Sequence, residues 1–584
     1  MQQNNKNILL ATILSFAVLL TWTWFYEKPR IEKQEELKRL ATLNIESKKE
    51  KPVENNLAKF QTKSIKDSQD KSLLLTLENR LDALKKSKDL RLEIKSDALH
   101  GSISLKGARF DDLTLARYFE TQKKEKEVVL FAPSSSKERY FADFGFISSD
   151  EKIDLPNPET IWKSNSKALT PENPIILTWK NAQNIIFKIK ISLDENYMFA
   201  IAQSVENKSN REISIASYGR INRVLNHLSK ANYILHEGAI GVSNSVLKEV
   251  SYKDLMEDGK VKFNDIANSQ GWLGIADKYW LSSLIPDRNL NYSGDFDFEL
   301  NNQNNLFSTQ FIGQEFILPA GKEISFNHHL FAGAKKVKLL DAYAKKYQIK
   351  LFDRAIDFGW FYFLTKPFFF IIDFLNKLLG NFGLAILAMT VIIKLALFPM
   401  ANKSYAAIGK IKKLQPKIET LRERFKDDKL GLNREMMELY KKEKVNPASG
   451  CLPILVQIPI FFALYKVLFV TLDMRHATFY GWIKDLSAPD PTSIFNLFGL
   501  LPFEVSGIFA IGIWPILMGL TMVIQQKLNP SSGDAIQAKI LKFMPYVLTF
   551  VLASFPAGLV IYWTWSNILS IAQQWIINKR MNIS

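Results

Sequence analysis

The apolar residues of this chain are gathered into long uninterrupted runs, and that segregation constrains the fold more than any motif. Phe382–Met400, Leu452–Leu472, Ile508–Ile524, Ile540–Phe555 and Ala557–Ile577 are stretches of 16 to 21 residues. At about 1.5 Å of helix per residue, roughly 20 such residues cross a bilayer core of about 30 Å. Averaged over 584 residues the composition is that of a soluble protein, 47% hydrophobic and 23% charged. The average conceals the division: residues 27–345 are polar, while 360–577 hold most of the oil. A soluble globular protein is excluded. The fourth run is only about 24 Å long as a helix and is separated from the fifth by Phe555-Pro556-Ala557-Gly558, a tight-turn signal. A short span of this kind predicts local bilayer thinning or a hairpin tip buried below the outer interface.

A sixth run, Ile8–Tyr26, is 19 uncharged residues that follow Lys6 and end in Trp22, Trp24 and Tyr26. No small-x-small cleavage site follows, so residues 1–26 read as an uncleaved transmembrane anchor. Residues 27–84 are too rich in Lys, Glu, Asn and Gln to bury a core and read as a polar tether. From there the period changes to two. Leu90-Leu92-Ile94, Ile103-Leu105, Phe187-Ile189-Ile191-Leu193 and Tyr197-Phe199-Ile201 alternate, with turn signals at 156–158 and 194–196. Residues 85–345 are therefore expected to form a β-sandwich. The next stretch, 346–380, is apolar but carries Asp357, Lys366, Asp373 and Lys377 with Pro367 among them. It suits an amphipathic helix lying in the interface better than a span. Residues 381–584 complete a core of five spans.

Charge orients the spans. Residues 402–446 hold 13 Lys+Arg against 7 Asp+Glu, the loop 473–507 holds only Arg475 and Lys484, and Lys579 and Arg580 end the last run. The positive-inside rule then puts both termini and 402–446 in the cytoplasm and the β domain outside. Six spans, with both termini on one side, agree.

One cysteine, Cys451, excludes an intramolecular disulfide and a cysteine metal cluster. The six histidines show no metal-ligand spacing, the adjacent His328–His329 lying in a strand-like stretch. No Gly-rich phosphate loop stands out. No metal, nucleotide or redox cofactor is expected, and no enzyme chemistry.

Lys394 is the most informative residue. It lies in LAILAMTVIIKLALFPM, with ten uncharged residues before it and four between it and Pro399. A charge at that depth costs about 2.5–3.5 kcal/mol on insertion scales. It can snorkel to the cytoplasmic headgroups, or it can sit in a wet cavity. Thr390 is one turn back on the same face. Gln457 lies in the third span, Gln525 and Gln526 end the fourth, and Tyr562 and Ser566 stand one turn apart in the last. Each has a bland reading as a helix–helix hydrogen bond. Together they would make a hydrophilic groove at the inner leaflet. No acidic residue lies within these five spans, so an ammonium there attracts anionic or polar segments. Pro453 and Pro459 should bend the third span, and Lys466 in that span suits snorkelling.

Residues 402–446 show helical spacing on two stretches, Ile411-Leu414-Ile418-Leu421-Phe425 and Met436-Leu439-Tyr440, separated by a turn at 427–431. They predict a basic αα-hairpin. Lys410, Lys412, Lys413, Lys417, Arg422 and Arg424 would make it a docking surface for a ribosome or a nascent chain, or else it is a solvated structural hairpin.

LQPKIETLRERFKDDK, EMMELYKKEKVNPASGCLPILVQIPIFFALYKVL, FMPYVLTFVLASFPAGLVIYWTWSN and WIKDLSAPDP resemble the YidC/Oxa/Alb family of membrane insertases. WLGIADKYWLSSLIP resembles the periplasmic domain of its Gram-negative form. The resemblance is strongest over 350–577 and is collinear elsewhere. It implies an insertase and chaperone for inner-membrane proteins, acting alone or with the Sec translocon through a groove open to cytoplasm and lipid. The family's groove cation is usually arginine, and the matching position is Lys394. Thr390, Gln457 and Tyr562 match other groove positions, and Trp563 stands where tyrosine is common. Nascent membrane proteins, the ribosome, the Sec translocon and the lipid bilayer are the partners implied. The tail after Ile577 is short, which would leave ribosome contact to 402–446 and 528–539. A transporter or channel is the alternative function, disfavoured because the polar groups crowd the inner half and no inverted repeat is evident. A Ser/Lys hydrolase is a further rival, needing a serine within reach of Lys394.

Overall fold

The computed structural model describes residues 79–226, 235–263, 271–301, 304–425, 428–446, 452–499, 501, 505, 510–528 and 535–580. The anchor 1–26, nearly all of the tether, and Cys451 lie outside the described residues. Two compact units are present, one ending at Tyr362 and joined by Phe469–His476, the other made of Phe363–Leu468 and the chain from Ala477 onward.

The first unit is a two-sheet sandwich. Its nine-stranded sheet runs, in spatial order, Val246–Ser251, Gly238–Ser243, Trp272–Ala276, Trp280–Ile285, Glu323–Ala334, Met198–Asn207, Ile185–Leu193, Ile175–Lys180 and Lys163–Ser164. The eleven-stranded sheet is built around Ile213–Val224, flanked by Asn304–Gly313 and Tyr140–Ile147. Nearly all pairing is antiparallel; Arg91–Lys95 with Ala168–Leu169 is parallel. The period-two reading holds over 187–201, where Phe187, Ile189, Ile191 and Leu193 are buried on one strand and Tyr197, Phe199 and Ile201 at the start of the next, while Leu90 and Leu105 of the earlier runs fall just outside the strands and are half-buried. Between them Asp194 makes the turn, its Oδ1 accepting from the amides of Asn196 and Met198 at 2.9 and 3.0 Å. The core fills the space between the sheets. Phe110 meets Phe199 edge-on at 5.2 Å, Phe146 meets Phe187 at 5.1 Å, and Gln203 donates across the gap to Gly145 O at 2.7 Å.

His328 and His329 do not cooperate, because successive strand residues face opposite sides of a sheet. His328 is buried among Phe144, Tyr292 and Phe311, where its Nδ1 accepts from the Asp287 amide at 3.1 Å and its Nε2 lies 3.2 Å from Ser217 Oγ. His329 packs on Tyr347 instead.

The amphipathic helix expected over 346–380 is shorter than that. Helix α1 (Arg80–Lys86) and helix α2 (Tyr252–Asp258) decorate the sandwich, and helix α3 (Val337–Lys346) follows its last long strand. Residues 347–359 then fold back on the nine-stranded sheet. Phe352 is fully buried against Trp272 and Phe331, Trp272 Nε1 donates to Lys350 O at 3.1 Å, and the buried Lys335 ammonium donates to Ala355 O at 3.2 Å. The helix proper is α4 (Tyr362–Leu379), with Pro367 inside it. It buries Thr365, Phe368, Phe369, Ile372 and Leu375, and exposes Phe363, Phe370, Phe374 and Leu378 on the other side. Asp373 and Lys377 pair one turn apart at 3.3 Å.

In the second unit, helices occupy the five apolar runs: α5 (Phe382–Lys413), then, beyond the basic hairpin, α8 (Leu452–Val470), α9 (Ile513–Leu528), α10 (Ala535–Leu552) and α11 (Ala557–Arg580). By length and hydropathy, one helix among the described residues, α5, is long and apolar enough to cross a membrane. The basic segment is α6 (Gln415–Arg424) and α7 (Lys429–Lys442). Pro416 at the start of α6 breaks it from α5, and Asp428 caps α7 by accepting from the amides of Leu430 and Gly431 at 3.1 and 2.9 Å. Ile411, Leu414, Ile418, Tyr440 and Val445 form their shared core, joined by Met436 and Leu439, while Leu421 and Phe425 are half-buried.

Burial holds the His328 imidazole neutral by pushing its pKa from 6.5 to about 3. The unfolded chain takes up that proton below about 6.5 and the folded one does not, so the sandwich loses stability as pH falls from 6.5 toward 3, by up to about 1.4 kcal/mol per pH unit. In the full-length protein, the urea midpoint for proteolysis of strand Glu323–Ala334 should fall between pH 7 and 5. Burial also lowers His236 and His329, each to about 4, so His328→Gln should reduce that dependence by about a third; an equal pH slope in both proteins would remove His328 as a source.

Candidate functional site

Helix α11 gathers the polar residues of the second unit. Tyr562, Ser566 and Ser570 recur at four-residue spacing, which keeps them along one side of the helix. All three are buried, as are Asn567, Gln574 and Asn578. Lys394 of α5 donates to Ser570 Oγ at 2.8 Å, and Ser570 in turn donates to Ser566 O at 2.9 Å. Gln457 of α8 donates to the Tyr562 hydroxyl at 2.6 Å. Asn567 donates to Thr521 Oγ1 of α9 at 3.0 Å, Gln573 to Asn402 Oδ1 of α5 at 3.1 Å, and Gln574 to Leu528 O at 3.2 Å. Three helices are thus hydrogen-bonded to one.

The Lys394 ammonium is half-buried and has a neutral partner. No carboxylate lies within ion-pair distance of it among the described residues. An ammonium carries three N–H donors, so two remain for water or a passing segment. That is a site of positive potential built from neutral walls, suited to attracting anionic or polar groups rather than to binding one ligand tightly.

The other expected groove residues divide. Thr390 is buried and spends its hydroxyl on Ile386 O in its own helix, at 2.7 Å. Trp563 lies seven residues, about two turns, before Ser570 on nearly the same stripe of α11, where it meets Phe461 edge-on at 4.6 Å and packs on the apolar cluster of Met518, Leu552 and Val560. Helix α10 joins that cluster through Leu552 and Leu548. Its Thr549 donates within its own helix and stands where a Cβ on Gly519 would fall. Ser570 is the residue that sequence reasoning missed, although its four-residue spacing from Ser566 is the same one-turn relation that links Thr390 to Lys394. On the hairpin, Lys410, Lys413, Lys417 and Arg424 are exposed and Lys412 and Arg422 half-buried. Lys417 pairs with Glu443 at 2.9 Å.

Ser570 also bears on the hydrolase rival. A lysine acting as base must accept the serine proton. Here the proton points to the Ser566 carbonyl and Lys394 is the donor. Ser570 lies within a continuous helix, where the backbone N–H groups an oxyanion would need are held by the helix itself.

Residues 374–584 match the family described as 60Kd inner membrane protein, and residues 91–371 match the YidC periplasmic domain. Membrane protein insertase YidC of Rickettsia bellii (strain OSU 85-389) is 49% identical over 580 residues, 99% of this chain and 100% of the relative. The protein of the same description from Rickettsia rickettsii (strain Iowa) is also 49% identical, over the same shares of both chains. Among solved structures, one described as an active YidC insertase with the first transmembrane domain resolved is 17% identical, covers 83% of this chain and 92% of its own, and aligns with a TM-score of 0.34. The chain belongs to the YidC family of membrane protein insertases, proteins of the inner membrane with a periplasmic domain.

Proposed function

We propose that insertion runs through the side of α11 that carries Lys394, Ser570, Ser566, Tyr562 and Gln457. The observation that carries this is the half-buried Lys394 ammonium, held by a hydroxyl and by no carboxylate. A counter-ion would cancel the site's potential; a hydroxyl fixes the side chain and leaves the charge available. In this reading the polar N-tail or hairpin of a substrate is drawn from the cytoplasm toward Lys394. Its apolar segment then passes along α8 and α10 into lipid. Burial of about 20 apolar residues drives the step, aided by the membrane potential at about 2.3 kcal/mol per charge per 100 mV.

The topology proposed with it has six spans, residues 1–26 and the five helices of the core, with both termini and the α6–α7 pair in the cytoplasm. The charge asymmetry across the loops supports that orientation. The exposed cations of α6 and of the last turn of α5 would meet the ribosome or the nascent chain, and the Sec translocon would be a partner for larger substrates. The two apolar sides of α4 support a place in the interface, one against protein and one toward lipid. Chaperone action belongs to the same site.

In proteoliposomes, Lys394→Glu and Lys394→Ala should slow insertion of single-span substrates with acidic N-tails about tenfold or more, and Lys394→Arg should stay within about threefold of the parent. Equal rates in all four proteins would end the electrostatic reading. Ser570→Ala should leave insertion within about threefold, since it removes a neutral anchor for Lys394. Complete loss would instead make the hydroxyl chemically essential. Photo-crosslinkers at 394, 457 and 562 should capture a nascent single-span protein during translation. Capture at none of the three would take the path away from this side of α11.

A further inference from the structure

The segment between α8 and α9 is tied to the N-terminal ends of three helices. Asn381, which caps α5 through the Leu384 amide at 3.1 Å, donates its Nδ2 to Thr478 O at 3.3 Å. Phe479 lies where a Cβ on Gly383 would stand. The first two amides of α11, Ala557 and Gly558, donate to Ala488 O at 2.7 Å and Leu486 O at 3.0 Å. The amides that open α9 are met by Thr492 and Asp490: Ile513 donates to Thr492 Oγ1 at 3.0 Å and Trp514 to Asp490 Oδ2 at 2.9 Å. Helix N-termini leave such donors without intrahelical partners, and here one loop supplies them for α9 and α11 together.

Asp490 is the centre of that arrangement. It is buried, and its Oδ1 accepts from Trp482 Nε1 at 3.1 Å, from the Thr492 amide at 3.0 Å and from Thr492 Oγ1 at 2.7 Å. No cation pairs with it among the described residues. The positive end of α9 and four donors take that place. Gly512 leaves the necessary room, since a Cβ there would overlap the carboxylate. Counting along the helices, Lys394 lies 12 residues from the start of α5 and Ser570 13 residues from the start of α11. Their contact is therefore about 18–20 Å from these ends.

We propose that residues 477–493 are the seal over the outer end of the insertion site, and that Asp490 is the positioning residue that latches it. The proposal rests on the reading of the Lys394 side of α11 as the insertion site. Between substrates the latch keeps that end dry; a substrate tail that crosses the membrane has to lift it. Asparagine cannot replace the carboxylate, because it has one acceptor oxygen and its NH₂ would meet the Trp514 amide donor to donor. Gly512→Ala breaks the same latch from the other side.

The test uses full-length protein in proteoliposomes, with Cys451→Ser and a single cysteine at Ser566→Cys. A membrane-impermeant maleimide is added from either face. In the parent, labelling is expected from the cytoplasmic face only. Asp490→Asn and Gly512→Ala should each raise labelling from the outer face at least fivefold, with Thr492→Ala smaller. Folded variants, shown by an unchanged proteolysis pattern, that label from outside no faster than the parent would overturn the latch. Should either variant misfold, Ala488→Cys with Ala557→Cys in the Cys451→Ser background decides the matter. Oxidation should block insertion of tail-crossing substrates at least fivefold and reduction should restore it, whereas undiminished insertion with the bridge closed would overturn the proposal. Labelling needs no substrate, so a failed Lys394 experiment and a failed seal are separate results.

Discussion

Everything in the helical unit depends on how α11 satisfies its own polar residues. A helix with buried Ser566, Asn567, Ser570, Gln574 and Asn578 is a poor occupant of hydrocarbon by itself. It becomes a good one when α5, α8 and α9 bring partners to it, and most of the interhelical hydrogen bonds described above include an α11 residue. Each such bond is worth about 0.6 kcal/mol on average in a membrane, so the set acts less as glue than as a register. It specifies which side of each helix faces inward, and apolar contacts such as Met518 with Leu552 and Val560 then do most of the packing. Lys394 is held in that frame by a serine, and so keeps its charge available.

The sandwich solves the same difficulty with different means. Some of its buried polar groups are met across the gap between sheets, as with the Gln203 amide nitrogen on Gly145 O and His328 between Ser217 and the Asp287 amide. The ion pair of Arg220 with Asp143, 3.1 Å apart, is likewise buried within one sheet. A neutral histidine in this position costs nothing at pH 7 and withdraws its support only in acid.

Much of this architecture was legible beforehand, for identifiable reasons. Alternation at 187–193 and 197–201 exposed the strands because one face of each is wholly apolar. The apolar runs located the five core helices and the 427–431 turn located the break between α6 and α7, whereas Pro416 divides the stretch 411–425, which reads as one helix by its apolar spacing. The candidate site was half legible. Lys394, Gln457 and Tyr562 stood out as polar groups in oil, but Ser570 did not, since serine is small enough to be unremarkable anywhere. Trp563 stood out as the counterpart of a common tyrosine in the family, and its indole instead packs with Phe461 and the apolar cluster of Met518, Leu552 and Val560. The extent of the helix at 346–380 was misjudged because Phe352, Ile356 and Phe358 are apolar for the sandwich and not for the membrane. The latch at Asp490 was invisible for a different reason: its partner amide at Trp514 is 24 residues away, and no local signature announces a cap supplied from such a distance.

Helix α4 is apolar on two sides, and two of its three charges, Asp373 and Lys377 in its C-terminal half, pair with each other. An unpaired charge would pin a helix to one depth at the headgroups, because moving it inward means shedding its hydration. In the interfacial placement proposed above, a helix that spends two of its three charges on each other would be held less firmly to one draught. It would ride higher or lower as the acyl chains beneath it lengthen or shorten.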